Sequence, residues 1–528
     1  MAGEKGNDEV FDVAVVGFGP TGAVAAGLLG GYGLRTFACD RSREVYAKPR
    51  AIALDHEILR VFQQLGVAER VLAHAEPFTP SEFYGVDGQL IKRFTAVEPP
   101  YPLGYCPSMV FTQPPVERLL RDHAQSLPNV DVALGMTLTD LAQNADGVTL
   151  TLRTDDGTVR QVRACYVIGC DGAASTVRTL LGLALDDLGF DEPWLVVDVL
   201  VNEKGLAKLP TVSMQYCEPE RPSSYIIGPG NHRRWEISIN DGEDPAQLAT
   251  PEGTWKLLSR WLTVEDATLW RQASYRFHAL VANTWCAGRV FVAGDAAHQQ
   301  PPFLGQGMCQ GIRDAANLSW KLAAVVQGTA HHTLLATYGA ERKSHVTELT
   351  RRIKDIGQLI GQRDPVKARE RDRQLLAECG GVVKSVPRQN VQPALSHGLL
   401  SPHAHPAVGS IFPQPWIRRS GAAERMDAVA GTGWRVVVAD FSGAADMALA
   451  AKASALTGLV TVVLGTPGFE EVDGVLTHWF AQQLCRAAIV RPDHYVYGVA
   501  GSAGELSVQL DALNQVLFSA LNEACEAG

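Results

Sequence analysis

The chain has 528 residues, of which 46% are hydrophobic and 20% charged. This is enough apolar material for about three domains with buried cores, and it excludes a disordered chain. A formal net charge of −10 argues against a general nucleic-acid binder. The most apolar late stretch, residues 447–464, is broken by Lys452, so no membrane span is expected. Residues 1–9 lack the apolar core of a signal peptide, and the ten cysteines include no C-x-x-C pair. The expectation is a cytoplasmic protein with reduced thiols, no metal site and no thioredoxin-type redox centre.

Val10-Phe11-Asp12-Val13-Ala14-Val15-Val16 reads as a buried parallel strand. Gly17-Phe18-Gly19-Pro20-Thr21-Gly22 follows, then a helix of small residues. Gly17 permits the tight turn, Gly19 lets backbone approach a pyrophosphate, and Gly22 lets the helix pack close to the strand. A second strand, Arg35-Thr36-Phe37-Ala38-Cys39, ends at Asp40 and Arg41, where the Asp40 carboxylate can accept from ribose hydroxyls. Strand, glycines, helix, strand and acid in this order point to a dinucleotide site and leave NAD(P) and FAD both open.

Two later segments bear on that choice. Tyr166-Val167-Ile168-Gly169-Cys170 leads into Asp171-Gly172-Ala173-Ala174-Ser175-Thr176-Val177-Arg178. Arg289-Val290-Phe291-Val292-Ala293 leads into Gly294-Asp295-Ala296-Ala297-His298, then Pro301-Pro302-Phe303-Leu304-Gly305-Gln306-Gly307-Met308-Cys309. Asp295 at a strand end can accept from a polyol. Amides at Gly307 and Met308 open a helix, where partial positive charge suits the anionic edge of a reduced flavin. A nicotinamide dehydrogenase has no use for this additional site.

The three segments together resemble the FAD-dependent aromatic hydroxylases of the p-hydroxybenzoate hydroxylase superfamily, and look closest to the 3-(3-hydroxyphenyl)propionate hydroxylases. Arg50-Ala51-Ile52-Ala53-Leu54 and Gln113-Pro114-Pro115-Val116-Glu117-Arg118 share the resemblance. It implies a single-component monooxygenase with non-covalent FAD, using NADH or NADPH and O2 to hydroxylate a small phenolic substrate to a catechol. Gly17, Gly19 and Gly22 would hold the FAD pyrophosphate, Asp40 the adenosine ribose, and Arg50 and Gln113 the phosphate and ribityl part, with Pro20, Thr21 and Arg41 also counted in the cofactor site. Asp171 would close the pyrophosphate region and help admit the nicotinamide donor, Asp295 would take the ribityl chain, and Gly307, Met308 and Cys309 would offer amides to the isoalloxazine, with Gly294, Gly305 and Gln306 also in the cofactor site. Cys309 stands where many relatives carry Asn, which leaves it a backbone role. A hydroxylase of polycyclic polyketides is the first alternative, since it would use the same motifs with a wider pocket, and a flavin oxidoreductase of another reaction class is the second.

The implied fold class is α/β: a Rossmann-like FAD-binding domain (residues 1–185 and 281–390), an inserted β-rich substrate domain (186–280) and a thioredoxin-like C-terminal domain (391–528). Within the insert, alternating strands offer Tyr216, Tyr225, His232, Arg233 and Trp235 as a substrate wall, with Arg233 a partner for a carboxylate. Pro301, Pro302 and Phe303 would touch the aromatic ring. Residues 341–378, rich in charge, read as a solvated helix face. After a proline-rich linker, strands near 434–439 and 459–464 flank a helix over 445–456, suggesting a small α/β unit for packing or homodimer contacts. Because that unit carries no cofactor motif, its removal from Ser401 onward is expected to spare the flavin site.

Overall fold

The computed structural model describes residues 10–419, 421–439 and 459–526. The helix expected over 445–456 lies outside these residues. Among them, no helix is long and apolar enough to cross a membrane.

Five parallel strands form the core of the first sheet, in the order Val290–Val292, Val159–Gly169, Val10–Val16, Thr36–Asp40, Val130–Leu134. Val10–Val16, Thr36–Asp40, Val290–Val292 and the last residues of Val159–Gly169 are mostly apolar on both faces because both faces are covered there. Val13, Val15, Phe37, Val167, Ile168 and Val292 are fully buried, each stabilising the fold by about 1.5–3 kcal/mol. Helix Pro20–Gly31 starts on a proline, whose fixed φ suits the first turn, and buries nearly every residue. It packs against helices Gln113–Ser126 and Gly307–Val326.

The second sheet has nine strands, in the order His298–Gln299, Ala267–Ala282, Leu185–Val201, His232–Ser238, Ser223–Ile227, Ser213–Tyr216, Ser81–Tyr84, Leu90–Thr95, Ser385–Pro387. It therefore extends beyond the 186–280 insert and takes strands from both flanking parts of the chain. Helix Pro251–Leu258 covers one face, and Ala336–Ile360 lies over part of the other.

The C-terminal sheet runs Val460–Val463, Arg435–Val438, Ala487–Val490, Val496–Ala500, with the first pair parallel and the others antiparallel. Buried charge ties it to the rest. Arg491 donates to Glu341 and Asp493, Lys321 donates to Glu341 at 2.7 Å, and the Tyr495 hydroxyl donates to Glu57 at 2.8 Å. Glu341 and Arg342 thus correct the expectation of a uniformly solvated helix over 341–378, because both are buried in ion pairs. Asp372 is buried as well, accepting from the Val86 amide and from Gln89.

Candidate functional site

Strands Val10–Val16, Val159–Gly169 and Val290–Val292 are neighbours and parallel, so the three motifs emerge together at their carboxyl ends, where open parallel sheets bind ligands. Gly17 has φ +95°, and a β-carbon there would stand 2.4 Å from the Cys170 carbonyl oxygen. A β-carbon on Gly22 would stand 1.9 Å from the Gly17 carbonyl oxygen. These two glycines are required by the protein's own backbone. Gly19 is different, since a β-carbon there would meet nothing within 4 Å. It precedes helix Pro20–Gly31, which has neither a side-chain cap nor an acidic residue in its first turn. Open space over uncapped amides at a helix N-terminus suits an anion.

Thr21 joins the first motif to the third. Its hydroxyl oxygen would lie 2.8 Å from a β-carbon on Gly294 and 2.3 Å from one on Gly311. Asp314 fixes the Gly294 turn, accepting from the Gly294 amide at 2.9 Å, from His298 Nε2 at 2.8 Å and from Arg342 at 2.8 Å. Burial pushes the Asp314 carboxyl up, but His298 and Arg342 more than offset this and leave it below the usual carboxylate range. Arg178 of the second motif donates to the Ala296 carbonyl at 3.0 Å, so all three motifs form one assembly.

Asp295 is the acceptor this assembly leaves open. Its side chain is accessible, yet surrounding protein desolvates it and raises its pKa, with His298 and Arg50 pulling the other way. No described residue donates a hydrogen bond to it. Nearby, helix Gly307–Val326 also begins without a side-chain cap, and a β-carbon on Gly307 would meet nothing within 4 Å. An unpartnered carboxylate together with two uncapped helix N-termini fits a ligand that joins hydroxyls, phosphates and an anionic ring. FAD is such a ligand.

The other expected cofactor residues are placed as follows. Asp40 accepts from the Phe18 and Ser42 amides, each at 2.7 Å, so it shapes the glycine turn. Arg41 and Arg50 are exposed, with the Arg50 guanidinium over the Tyr46 ring. Gln113 is buried, and its Oε1 accepts from the Arg50 and Ala51 amides at 3.1 and 2.6 Å, while its amide nitrogen donates to Glu117. It anchors the loop that carries Arg50. Asp171 caps the short helix Thr176–Leu180 through Ser175 and the Val177 amide. Gln306 is buried and accepts from Arg313 and Gln392. Gly305 has φ +62° and packs against Ala53, Met308 is half-buried, and Cys309 is enclosed beside the Ala53 carbonyl. The Arg50 to Ala53 segment therefore lies against the flavin-type loop.

The substrate-wall expectation needs correction. Tyr216, Tyr225 and Trp235 pack into the core beneath helix Pro251–Leu258, on the outer face of the second sheet. Arg233 lies on that same face and donates to the Gly228, Gly230 and His232 carbonyls, which engages it in its own turn. Phe303 packs edge-on against Phe190, Trp194 and Phe277, and Pro301 is buried with Pro302 beside it. The inner face instead carries Asp198, Arg234, Glu236, Arg271, Ser224 and Gln215, all buried. Arg234 donates to Asp198 at 2.7 and 3.2 Å and to the Arg50 carbonyl at 2.8 Å, while His232 Nε2 lies 2.8 Å from Asp198. Charged residues at every second position of a strand were the legible signal for this face.

Comparison with known proteins agrees with this geometry. The FAD binding domain family model matches residues 10–353, and the HcaD C-terminal domain model matches residues 409–516. A protein of Rhodococcus jostii (strain RHA1), described as a probable NADH-specific resorcinol 4-hydroxylase, is 39% identical over 510 residues, covering 94% of each chain. A 3-(3-hydroxy-phenyl)propionate/3-hydroxycinnamic acid hydroxylase of Burkholderia cenocepacia (strain HI2424) is 33% identical, covering 94% of this chain and 95% of its own. The flavin-dependent monooxygenase PieE, solved with FAD and substrate, superposes with a TM-score of 0.81 at 22% identity, covering 97% of this chain and 99% of that one. The chain belongs to the FAD-dependent aromatic hydroxylases, and it is a monooxygenase that hydroxylates a phenolic ring with FAD, a nicotinamide donor and O2.

Proposed function

We propose that this enzyme hydroxylates a monocyclic phenol bearing a meta substituent, of the resorcinol or 3-(3-hydroxyphenyl)propionate class, with NADH as donor. The shared 1,3-pattern of the substrates named for its two relatives supports the reading. The polycyclic alternative rests on structures at 20–23% identity, which speak to fold alone. In the same reading the protein is cytoplasmic, and residues 391–528 form a thioredoxin-like module with a packing role. The strand order of its sheet and its buried ion pairs support that assignment.

The open Asp295 carboxylate carries the cofactor assignment. In this reading the amides around Gly19 hold the pyrophosphate, Asp40 the adenosine ribose, Arg50 a phosphate, and Asp295 the ribityl hydroxyls. The Gly307, Met308 and Cys309 amides face the isoalloxazine. What FAD supplies when bound is acceptance of a hydride from the donor and activation of O2. The protein positions the ring and excludes water. Asp295→Ala is expected to weaken FAD binding by roughly 1.5–3 kcal/mol, or about one to two decades in Kd. Titration of the apoprotein with FAD measures this, and an unchanged Kd would remove Asp295 from the site.

Resorcinol and 3-(3-hydroxyphenyl)propionate should each be tested for stimulation of NADH oxidation, with a product heavier by one oxygen detected by mass spectrometry. Failure of both, alongside turnover of a polycyclic phenol, would favour the alternative substrate class.

A further inference from the structure

Glu236 is 2% exposed, and no described residue donates a hydrogen bond to its carboxylate; its Oε2 is wholly enclosed. Its backbone pairs with Val196 on one side and Ser224 on the other, which places it mid-sheet on the inner face. Two residues back, Arg234 is bonded to the Arg50 carbonyl. Two residues on, Ser238 pairs with Trp194, whose ring meets Phe303 at 5.3 Å. Along its strand, Glu236 is thus bracketed by an anchor to the Arg50 loop on one side and by a contact to Phe303, just before the glycines of the flavin-type loop, on the other. A substrate ring held between sheet and flavin would be faced by this carboxylate.

From this placement we infer that Glu236 is the catalytic base that takes the hydroxyl proton of the phenolic substrate, an inference that rests on the phenol-hydroxylase reading above. The O–H bond breaks, the proton passes to a Glu236 oxygen, and the electron pair stays on the phenolate, raising electron density at the ortho and para carbons that receive oxygen.

The surrounding charges suit this transfer. Arg234 on the same strand, Asp198 on Leu185–Val201 and Arg271 on Ala267–Ala282 are the charged groups facing Glu236. His232 is bonded to Asp198, Tyr275 to Arg271, and Ser224 to Gln215. Two guanidiniums and one fixed carboxylate face Glu236, so its negative charge is offset only in part against the cost of burial. Moving the proton from phenol to Glu236 moves the negative charge to the phenolate and leaves the total buried charge unchanged. Burial raises the Glu236 pKa to about 7, against the pull of Arg234 and Arg271 and with a further push from Asp198. A base poised near neutrality transfers protons most effectively.

The test measures hydroxylated product from resorcinol between pH 5.5 and 9 in FAD-loaded wild type, Glu236→Gln and Glu236→Asp. Wild type should lose rate below about pH 7 with a one-proton slope. Glu236→Gln should be slower by ~100-fold or more, lack that acid limb and keep its FAD affinity. Glu236→Asp should retain an acid limb. With 2-fluororesorcinol, whose hydroxyl is more acidic, the defect of Glu236→Gln should shrink, which a purely structural role would not produce. A Glu236→Gln enzyme within about threefold of wild type and with the same acid limb would overturn the inference. If Glu236→Gln does not hold FAD, the Glu236→Asp comparison decides: an unmoved acid limb and equal defects with both phenols would overturn it. Wild type inactive on resorcinol, 3-(3-hydroxyphenyl)propionate and their fluorinated forms would sink the substrate reading itself, and the inference with it.

Discussion

Asp427→Ala is expected to destabilise the protein by about 3–5 kcal/mol, because it removes the carboxylate between two buried arginines. Asp427 accepts from Arg60 at 2.5 and 3.0 Å and from Arg435, and His494 Nδ1 lies 3.6 Å away. Desolvation alone would raise the Asp427 pKa, but Arg60 and Arg435 hold the group far below the usual carboxylate range. Arg60 belongs to helix His56–Gln64 of the FAD-binding part, and it also donates to the Phe412 carbonyl at 2.5 Å. Loss of Asp427 therefore loosens the C-terminal module and leaves buried positive charge in the flavin-binding part. Urea unfolding of the holoenzyme, with limited proteolysis to detect release of residues 409–516, measures both effects. A loss below about 1 kcal/mol would show that water reaches and solvates these guanidiniums. The same contacts revise the outcome expected of truncation at Ser401. Such a chain would leave Arg60 without Asp427, and Glu341 without Arg491, so it should aggregate rather than fold with its flavin site spared.

Glu236→Gln should make the protein more stable above neutral pH, by up to about 3 kcal/mol at pH 8. In the folded state burial raises this carboxyl from its usual 4.5 to about 7. Below about pH 4.5 the group is protonated in both folded and unfolded states. Between those values the folded state holds the proton more tightly than the unfolded one. The wild type therefore loses this stabilisation as pH rises through about 7, whereas a neutral glutamine has no proton to lose. For a chain this long the difference amounts to about 3 °C in Tm at pH 8, fading towards pH 4.5. Melting curves of both holoenzymes across that range check the sign, and a gap that widens on acidification would contradict it.

The flavin motifs were legible in the sequence because each is local. Gly17, Gly19 and Gly22 lie within six residues, and the reasons for two of them, a positive φ and a close helix contact, are set by neighbouring backbone. Asp295 could be read the same way, from its place at the end of a β-branched strand. The strands of the second sheet were also legible from their alternation, but alternation says only that Tyr225, Trp235 and Ile237 share one face and Ser224, Arg234 and Glu236 the other. It does not say which face meets the cofactor. Both faces of this sheet are covered, so burial removes the usual polar-out signal, and the aromatic residues that looked like a pocket are core beneath Pro251–Leu258. Only the tertiary structure turned the charged face towards the Arg50 loop. It alone paired Arg60 with Asp427, 367 residues apart, and engaged Gln113 with the Arg50 and Ala51 amides. A buried charge must find an opposite charge or a dipole, but nothing in its own neighbourhood of the chain specifies where that partner will come from.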